Sequence, residues 1–238
     1  MYLYDIGTNR RVDRLAGAHL NDVNSVGFDP RDGDVLYSAS DDCLCKVWDL
    51  RCAGASARAA GYLVGHRAGI THVEGKGDGV TVITNSKDQS VRMWDLRRMT
   101  TDRARVPAGS PGEAPWDYRW EPPPRPGPAE AGVRALAGRE GEGGCVAAFH
   151  GHSVLQTLIR AHFSPRRTTG RRFIYAGSST GDVCVYDTHL LQTHDVFRAH
   201  AGAVRDCAWH PYLPLLITAS WDCSVGFWRL DGGEADPD

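Results

Sequence analysis

Serine, histidine and aspartate recur together in this 238-residue chain, and that trio is the raw material of an activated nucleophile. The copies are His19 with Ser40 and Asp42, His66 with Ser86 and Asp88, and His200 with Ser220 and Asp222. A fourth, His152 with Ser178, has Thr180 where the carboxylate is expected. Hydrolysis by such a trio requires one site, where a base activates a single hydroxyl and a third group orients the base. The same trio in segment after segment is a structural signal instead, and no residue is assigned a catalytic role. The chain also lacks a phosphate-binding loop, a nucleophile elbow, metal-ligand spacing and a dinucleotide fingerprint, so neither enzyme chemistry, metal nor cofactor is expected.

Each trio leads to an aromatic residue. Trp48, Trp94, Tyr186 and Trp228 follow their histidines by 29, 28, 34 and 28 residues, so only the third copy carries extra length. Between these markers lie short alternating runs such as Val23-Asn24-Ser25-Val26-Gly27-Phe28 and Cys45-Lys46-Val47-Trp48, bounded by Asp and Gly turns, which predict half-buried strands. Each unit then reads as strand a after the His, strand b ending at the Ser, a tight turn at the Asp, strand c ending at the aromatic, and strand d. Polar groups at strand ends would be buried without a ladder partner. An imidazole bridging the turn carboxylate and a hydroxyl, with the indole N–H donating to that hydroxyl, satisfies them together. The predicted networks are His19–Ser40–Asp42–Trp48, His66–Ser86–Asp88–Trp94 and His200–Ser220–Asp222–Trp228. The His152–Ser178–Tyr186 set lacks its carboxylate and is expected to be looser.

A repeat of about 40–45 residues ending in Trp-Asp resembles the blade of a WD40 β-propeller. The expected fold is therefore all-β: three complete four-stranded blades and two incomplete ones over residues 1–230. Met1 to Asp5 and Arg11 to Leu15 read as strands c and d of the first partial blade, and the last blade reads as a, b and c only. Propellers close with about 4–8 blades, so this chain is expected to form an open arc. Eight of its thirteen prolines lie between Pro107 and Pro128, which marks 98–144 as a flexible c–d loop insertion. Inside it, Trp116-Asp117-Tyr118-Arg119-Trp120 is an aromatic island expected to anchor on the blade rim. Residues 231–238 read as a disordered tail.

The balance of 27 basic to 29 acidic residues gives no footprint for nucleic acid. No apolar run suits a membrane span or a signal core, and the seven cysteines show no CxxC pair, which fits reduced thiols in the nucleus or cytoplasm. The cluster Arg166, Arg167, Arg171 and Arg172 reads as a solvated loop that is open to a partner.

Two phrases go beyond what the fold needs: Trp48-Asp49-Leu50-Arg51 and Trp94-Asp95-Leu96-Arg97, 46 residues apart. Preceded by Cys45-Lys46-Val47 and Val91-Arg92-Met93, they resemble the receptor box of the WD40 substrate receptors of cullin-4 ubiquitin ligases. Other phrases, among them HLNDVNSVGF, GRRFIYAGSSTGDVCVYD and VRDCAWHPYLPLLITASWD, resemble the factor-eleven branch of that family and its plant relatives. The resemblance covers residues 1 to about 230 and implies that several N-terminal blades of the family are absent. It also implies a non-catalytic subunit that docks the damaged-DNA-binding adaptor and the cullin-4 ligase core through Asp49, Arg51, Asp95 and Arg97. An unidentified protein substrate would then be held on the opposite face for ubiquitination and proteasomal degradation. The residues alone leave a second reading open, in which each Arg merely pairs with its own Asp. Candidate substrate contacts on the His side are Asp41, Lys87, Ser179 and Trp221 at the b–c turns, with Asn21, Arg67 and Arg198 near the histidines. The competing classes are a general WD40 scaffold and a truncated copy with impaired function.

Overall fold

The computed structural model describes residues 1–15, 17–52, 58–102, 106, 117–121, 133–135 and 144–229. A hairpin of β1 (Tyr2–Asp5) and β2 (Arg10–Arg14) comes first. The first blade is β3 (Val23–Phe28), β4 (Val35–Ser40), β5 (Cys45–Asp49) and β6 (Gly61–Leu63), antiparallel in that order. The second contains β7 (Ile70–Gly75), β8 (Thr81–Ser86) and β9 (Val91–Asp95). Its outer edge is formed by β11 (Cys145–Phe149) and a fifth strand, β10 (Val133–Ala135), contributed by the insertion. The third is β12 (Ala161–Phe163), β13 (Phe173–Gly177), β14 (Asp182–Asp187) and β15 (Gln192–Arg198), with the short helix α1 (Arg166–Thr169) between its first two strands. Among the described residues the last sheet has three strands: β16 (Val204–Trp209), β17 (Leu215–Ser220) and β18 (Val225–Arg229). The result is a partial, open WD40 propeller. The predicted tail and the remainder of the 98–144 insertion, Trp116 included, lie outside the described residues.

What holds the blades together lies between them. Tyr37, Val47 and Leu63 of the first blade pack with Val73, Val82 and Trp94 of the second. Ile83, Met93 and Phe149 meet Ile174, Cys184 and Tyr186 across the next interface, and Tyr175, Val183 and Val185 meet Val204, Cys207 and Leu216 across the third. Each strand thus buries alternate residues between neighbouring sheets. On the far side of the first blade, Leu36 and Trp48 pack with Leu15 and Ala18, which follow the N-terminal hairpin, while Val26 and Phe28 on β3, and Val225 and Phe227 on β18, are exposed.

The tight b–c turns need a left-handed residue after the Asp. Cys43, Gln89 and Cys223 take it at φ 66°, 67° and 66°. The third blade uses Gly181 at φ 93°, where a Cβ would lie 2.2 Å from the His200 carbonyl, so glycine is required both for conformation and for room. The extra length of the third repeat falls before β12 and in the loop carrying α1.

Candidate functional site: two faces and an inner wall

Strand c runs from the b–c turn to the box, so the turns and the boxes lie on opposite faces, separated by five strand residues or roughly 15 Å. On the turn face, His19 Nδ1 is 2.9 Å from Asp42 Oδ2, His66 Nδ1 is 2.8 Å from Asp88 Oδ2, and His200 Nδ1 is 3.0 Å from Asp222 Oδ2. The hydroxyl that joins His to Trp is not the predicted one. Ser38 in the first blade, Thr84 in the second and Thr218 in the fourth take that place, at 2.7, 2.6 and 2.7 Å from His Nε2. They accept the N–H of Trp48, Trp94 and Trp228 at 2.8, 2.7 and 2.9 Å. Ser40, Ser86 and Ser220 sit two residues later, on the same strand face but already in the turn. There each accepts the backbone N–H of its own Asp at 3.1 Å. The imidazole reaches one pleat deeper than the sequence suggested.

Burial pushes the His66 imidazole down, toward the neutral form. Burial alone would raise the Asp88 carboxyl, but His66, Arg92 and Ser90 outweigh it and hold it well below the usual range. In the neutral tautomer Nδ1–H donates to Asp88, Thr84 donates to Nε2, and Trp94 donates to Thr84, which satisfies every group. The third blade departs from this. His152 Nδ1 meets the Tyr186 hydroxyl at 3.1 Å, and Nε2 reaches the Asn85 amide oxygen of the second blade at 2.8 Å. Ser178 is not part of that link; its hydroxyl pairs with Thr180 at 2.7 Å. His152 is therefore paired at both nitrogens, with a neighbouring blade supplying an acceptor in place of the missing carboxylate.

Asp88→Ala is expected to cost roughly 1–3 kcal/mol, because it leaves His66 Nδ1 buried without a partner. Thr180→Ala should cost well under half as much, since Thr180 is exposed and does not touch His152. Denaturation midpoints of the two variants check this, and equal losses would contradict the network.

The substrate-face candidates are distributed unevenly. Lys87 and Asp41 come together in a 2.7 Å ion pair across two blades, and Asn24 donates to the same carboxylate at 2.7 Å. Tyr118 of the insertion lies over the Lys87 ammonium, 4.3 Å from nitrogen to ring centroid, and its carbonyl accepts Gln156 N–H at 2.9 Å. Part of the aromatic island therefore docks on the turn face, and it leaves Trp120 85% exposed. Trp221 is also exposed. Arg198 lies 3.6 Å from Asp182, while Asn21 accepts from Ser40 through its carbonyl. Arg67 N–H donates to Asp88, and Ser179 N–H donates to the Ser153 carbonyl.

On the opposite face the two boxes are built alike. Asp49 accepts Arg51 N–H at 3.0 Å and holds its guanidinium through Nε at 2.9 Å and Nη2 at 2.9 Å. Asp95 holds Arg97 in the same way, at 2.9, 3.0 and 2.7 Å. These bidentate forks lower both carboxyls. The intrablade pairing is thus real, yet Arg51 and Arg97 remain 57% and 73% exposed, with each guanidinium held in a fixed direction. The third blade has His189 at the box-arginine position. Its Asp187 takes the same backbone contact, from His189 N–H at 2.8 Å, but its guanidinium comes from Arg172 of the preceding loop, donating from Nε at 2.8 Å and from Nη2. The cluster is divided: Arg166 and Arg167 are exposed, with Arg167 over Tyr212, whereas Arg171 donates to the Gly75 carbonyl at 2.9 Å and Arg172 is held by Asp187.

Sequence reasoning also missed a cluster on the innermost strands. His162 Nδ1 is 2.8 Å from Glu74 and Nε2 is 3.0 Å from Asp206, so one imidazole joins three blades. Arg160 donates to Asp206 at 3.1 Å, and the His72 ring lies 4.7 Å from that of His162. Burial opposes the His162 charge, but Asp206 and Glu74 outweigh it and raise the imidazole to about 9. Burial and the neighbouring His162 push His72 down to about 3. The signal was the alternation Arg160-Ala161-His162, whose polar residues face the axis when Ala161 faces the core.

Comparison with known proteins follows the same outline. The family model described as WD domain, G-beta repeat, matches residues 12–49, 59–95 and 191–229. The chain is 40% identical to a LEC14B homolog of Prunus armeniaca, over 100% of this chain and 48% of that protein. It is 37% identical to a DDB1- and CUL4-associated factor 11 homolog of Caenorhabditis elegans, over 97% of this chain and 39% of that protein. A guanine nucleotide-binding protein subunit beta of Zea mays is 25% identical, over 97% of this chain. The chain spans about half the length of the curated relatives it matches.

Proposed function

We propose, on the premise that the chain is a WD40-repeat protein similar to DDB1- and CUL4-associated factor 11 homologues, that it is a substrate-receptor module of a cullin-4 ubiquitin ligase. The reading rests on one observation above the others: two forked Asp–Arg pairs of matching geometry, in consecutive blades, exposed on one face. A guanidinium fixed by its own carboxylate has little rotamer entropy left to lose, and both remain exposed to carboxylates or carbonyls across an interface, although Arg51 Nη1 also lies 3.5 Å from Asp32. Asp49, Arg51, Asp95 and Arg97 meet the DDB1 adaptor in this reading. The turn face, with Trp221 and the Tyr118–Trp120 turn, is left to a protein substrate. The chain acts by binding, in the nucleus or cytoplasm, and the ligase core supplies the chemistry.

Arg51→Ala combined with Arg97→Ala is expected to weaken DDB1 binding at least about tenfold, as loss of two interface arginines does, while the melting temperature stays within a few degrees. Both side chains are exposed, so the fold does not depend on them. A general WD40 scaffold would not depend on these arginines, and undiminished DDB1 recovery with the double variant would favour that class.

A further inference from the structure

The box face does not stop at the second box. Asp187 occupies the box-aspartate position of the third blade, and its side chain is fully buried, whereas Arg172, its partner, is 41% exposed. An arginine from a different loop has therefore been placed where the sequence lacks one, and it stacks on Phe173, 5.2 Å from guanidinium carbon to ring centroid. Between this clasp and the second box lies a cleft of about 160 Å³. Met93 and Val146 contribute apolar lining, and Lys76, Arg97, Thr188 and His189 contribute polar lining. Asp95 also reaches it and pairs with Arg97 through the fork, so the two nearly cancel and the net positive charge of the lining comes from Lys76. Room for one side chain, an apolar floor, the Lys76 ammonium and the N–H donors of Arg97 and His189 at the walls favour an occupant with an aliphatic stem and a carboxylate tip.

We propose that the adaptor-docking face extends onto the third blade, with Arg172 as a third docking arginine and the cleft between blades two and three receiving a glutamate or aspartate side chain of the adaptor. This rests on the docking reading above. The charge at the cleft fits such a partner, and the surface is continuous with the Arg97 fork. His189 is exposed and contributes only its backbone N–H to the Asp187 contact, so its side chain can be changed without disturbing the clasp.

The test measures the affinity of purified DDB1 for the chain and for His189→Glu, Arg172→Gln and the Arg51→Ala, Arg97→Ala double variant, with a thermal melt of each. Placing a like charge at the cleft should raise the Kd of His189→Glu about tenfold with an unchanged melt, and Arg172→Gln should raise it about threefold or more. Gln retains a hydrogen bond to Asp187, and if that variant nonetheless melts early, His189→Glu decides alone. Normal affinity for His189→Glu, with binding lost in the box double variant, overturns the third-blade extension and leaves the docking reading intact. Normal affinity in all variants overturns both.

Discussion

Trp94→Ala is expected to destabilise the chain by about 3–5 kcal/mol, the range for emptying a fully buried large aromatic site. The indole is completely buried between the first and second blades, against Tyr37, Val47 and Leu63, and it donates to Thr84 at 2.7 Å. Removing it opens a cavity in the interface and leaves the Thr84–His66–Asp88 chain without its terminal donor. Total stabilities of about 5–15 kcal/mol make such a loss a large share of the whole. The equivalent Trp228 donates to Thr218 at 2.9 Å and packs on Phe197, but it belongs to the outermost sheet and is only partly buried. Trp228→Ala should therefore cost roughly half as much or less, because part of its surface already faces water. Urea denaturation of the two variants reads the difference. Equal losses would mean that the inter-blade core does not set the stability.

That contrast also separates what the residues announce from what they conceal. The period, the strand alternation and the His–Asp–Trp spacing are local, repeated and enforced by sterics, so they are visible along the chain. The bridging hydroxyl was misplaced by two residues because Ser38 and Ser40 share a strand face, and only the depth of the imidazole distinguishes them. Thr84 and Thr218 could have signalled the correction, since both lie two residues before a turn serine. Arg172 and Asp187 are 15 residues apart, one in the loop before β13 and the other at the end of β14, so no motif joins them. The docking of Tyr118 on Lys87 is likewise a consequence of where a long insertion returns. The box arginines were legible as a motif, but their forks, which fix the direction of each guanidinium, needed geometry.

The inner-wall histidines predict a stability that falls on both sides of about pH 6.5, the ordinary imidazole value. His162 is held up at about 9 in the folded chain, so between 6.5 and 9 the folded state binds the extra proton. Its contribution is complete below 6.5 and is lost as pH rises through 9, by up to about 3 kcal/mol. His72 behaves oppositely. It is pushed down to about 3, so the unfolded chain binds the extra proton below 6.5 and stability falls as pH drops toward 3. The groups facing His162 are Glu74 and Asp206, with Arg160, Arg171, His72 and Tyr175 close by, and the two carboxylates are what sustain its charge. His162→Gln keeps a polar side chain of similar reach but cannot carry the proton. It should be less stable than the parent at pH 6.5 and should lose the alkaline slope between 6.5 and 9, while keeping the part of the acid slope that burial of His72 causes and losing the part that the His162 charge adds. Urea midpoints of parent and variant at pH 6.5, 8 and 9.5 isolate the His162 contribution, because every other titrating group is common to both. Parallel curves for the two proteins across that range would show that the three-blade clasp does not depend on a charged imidazole.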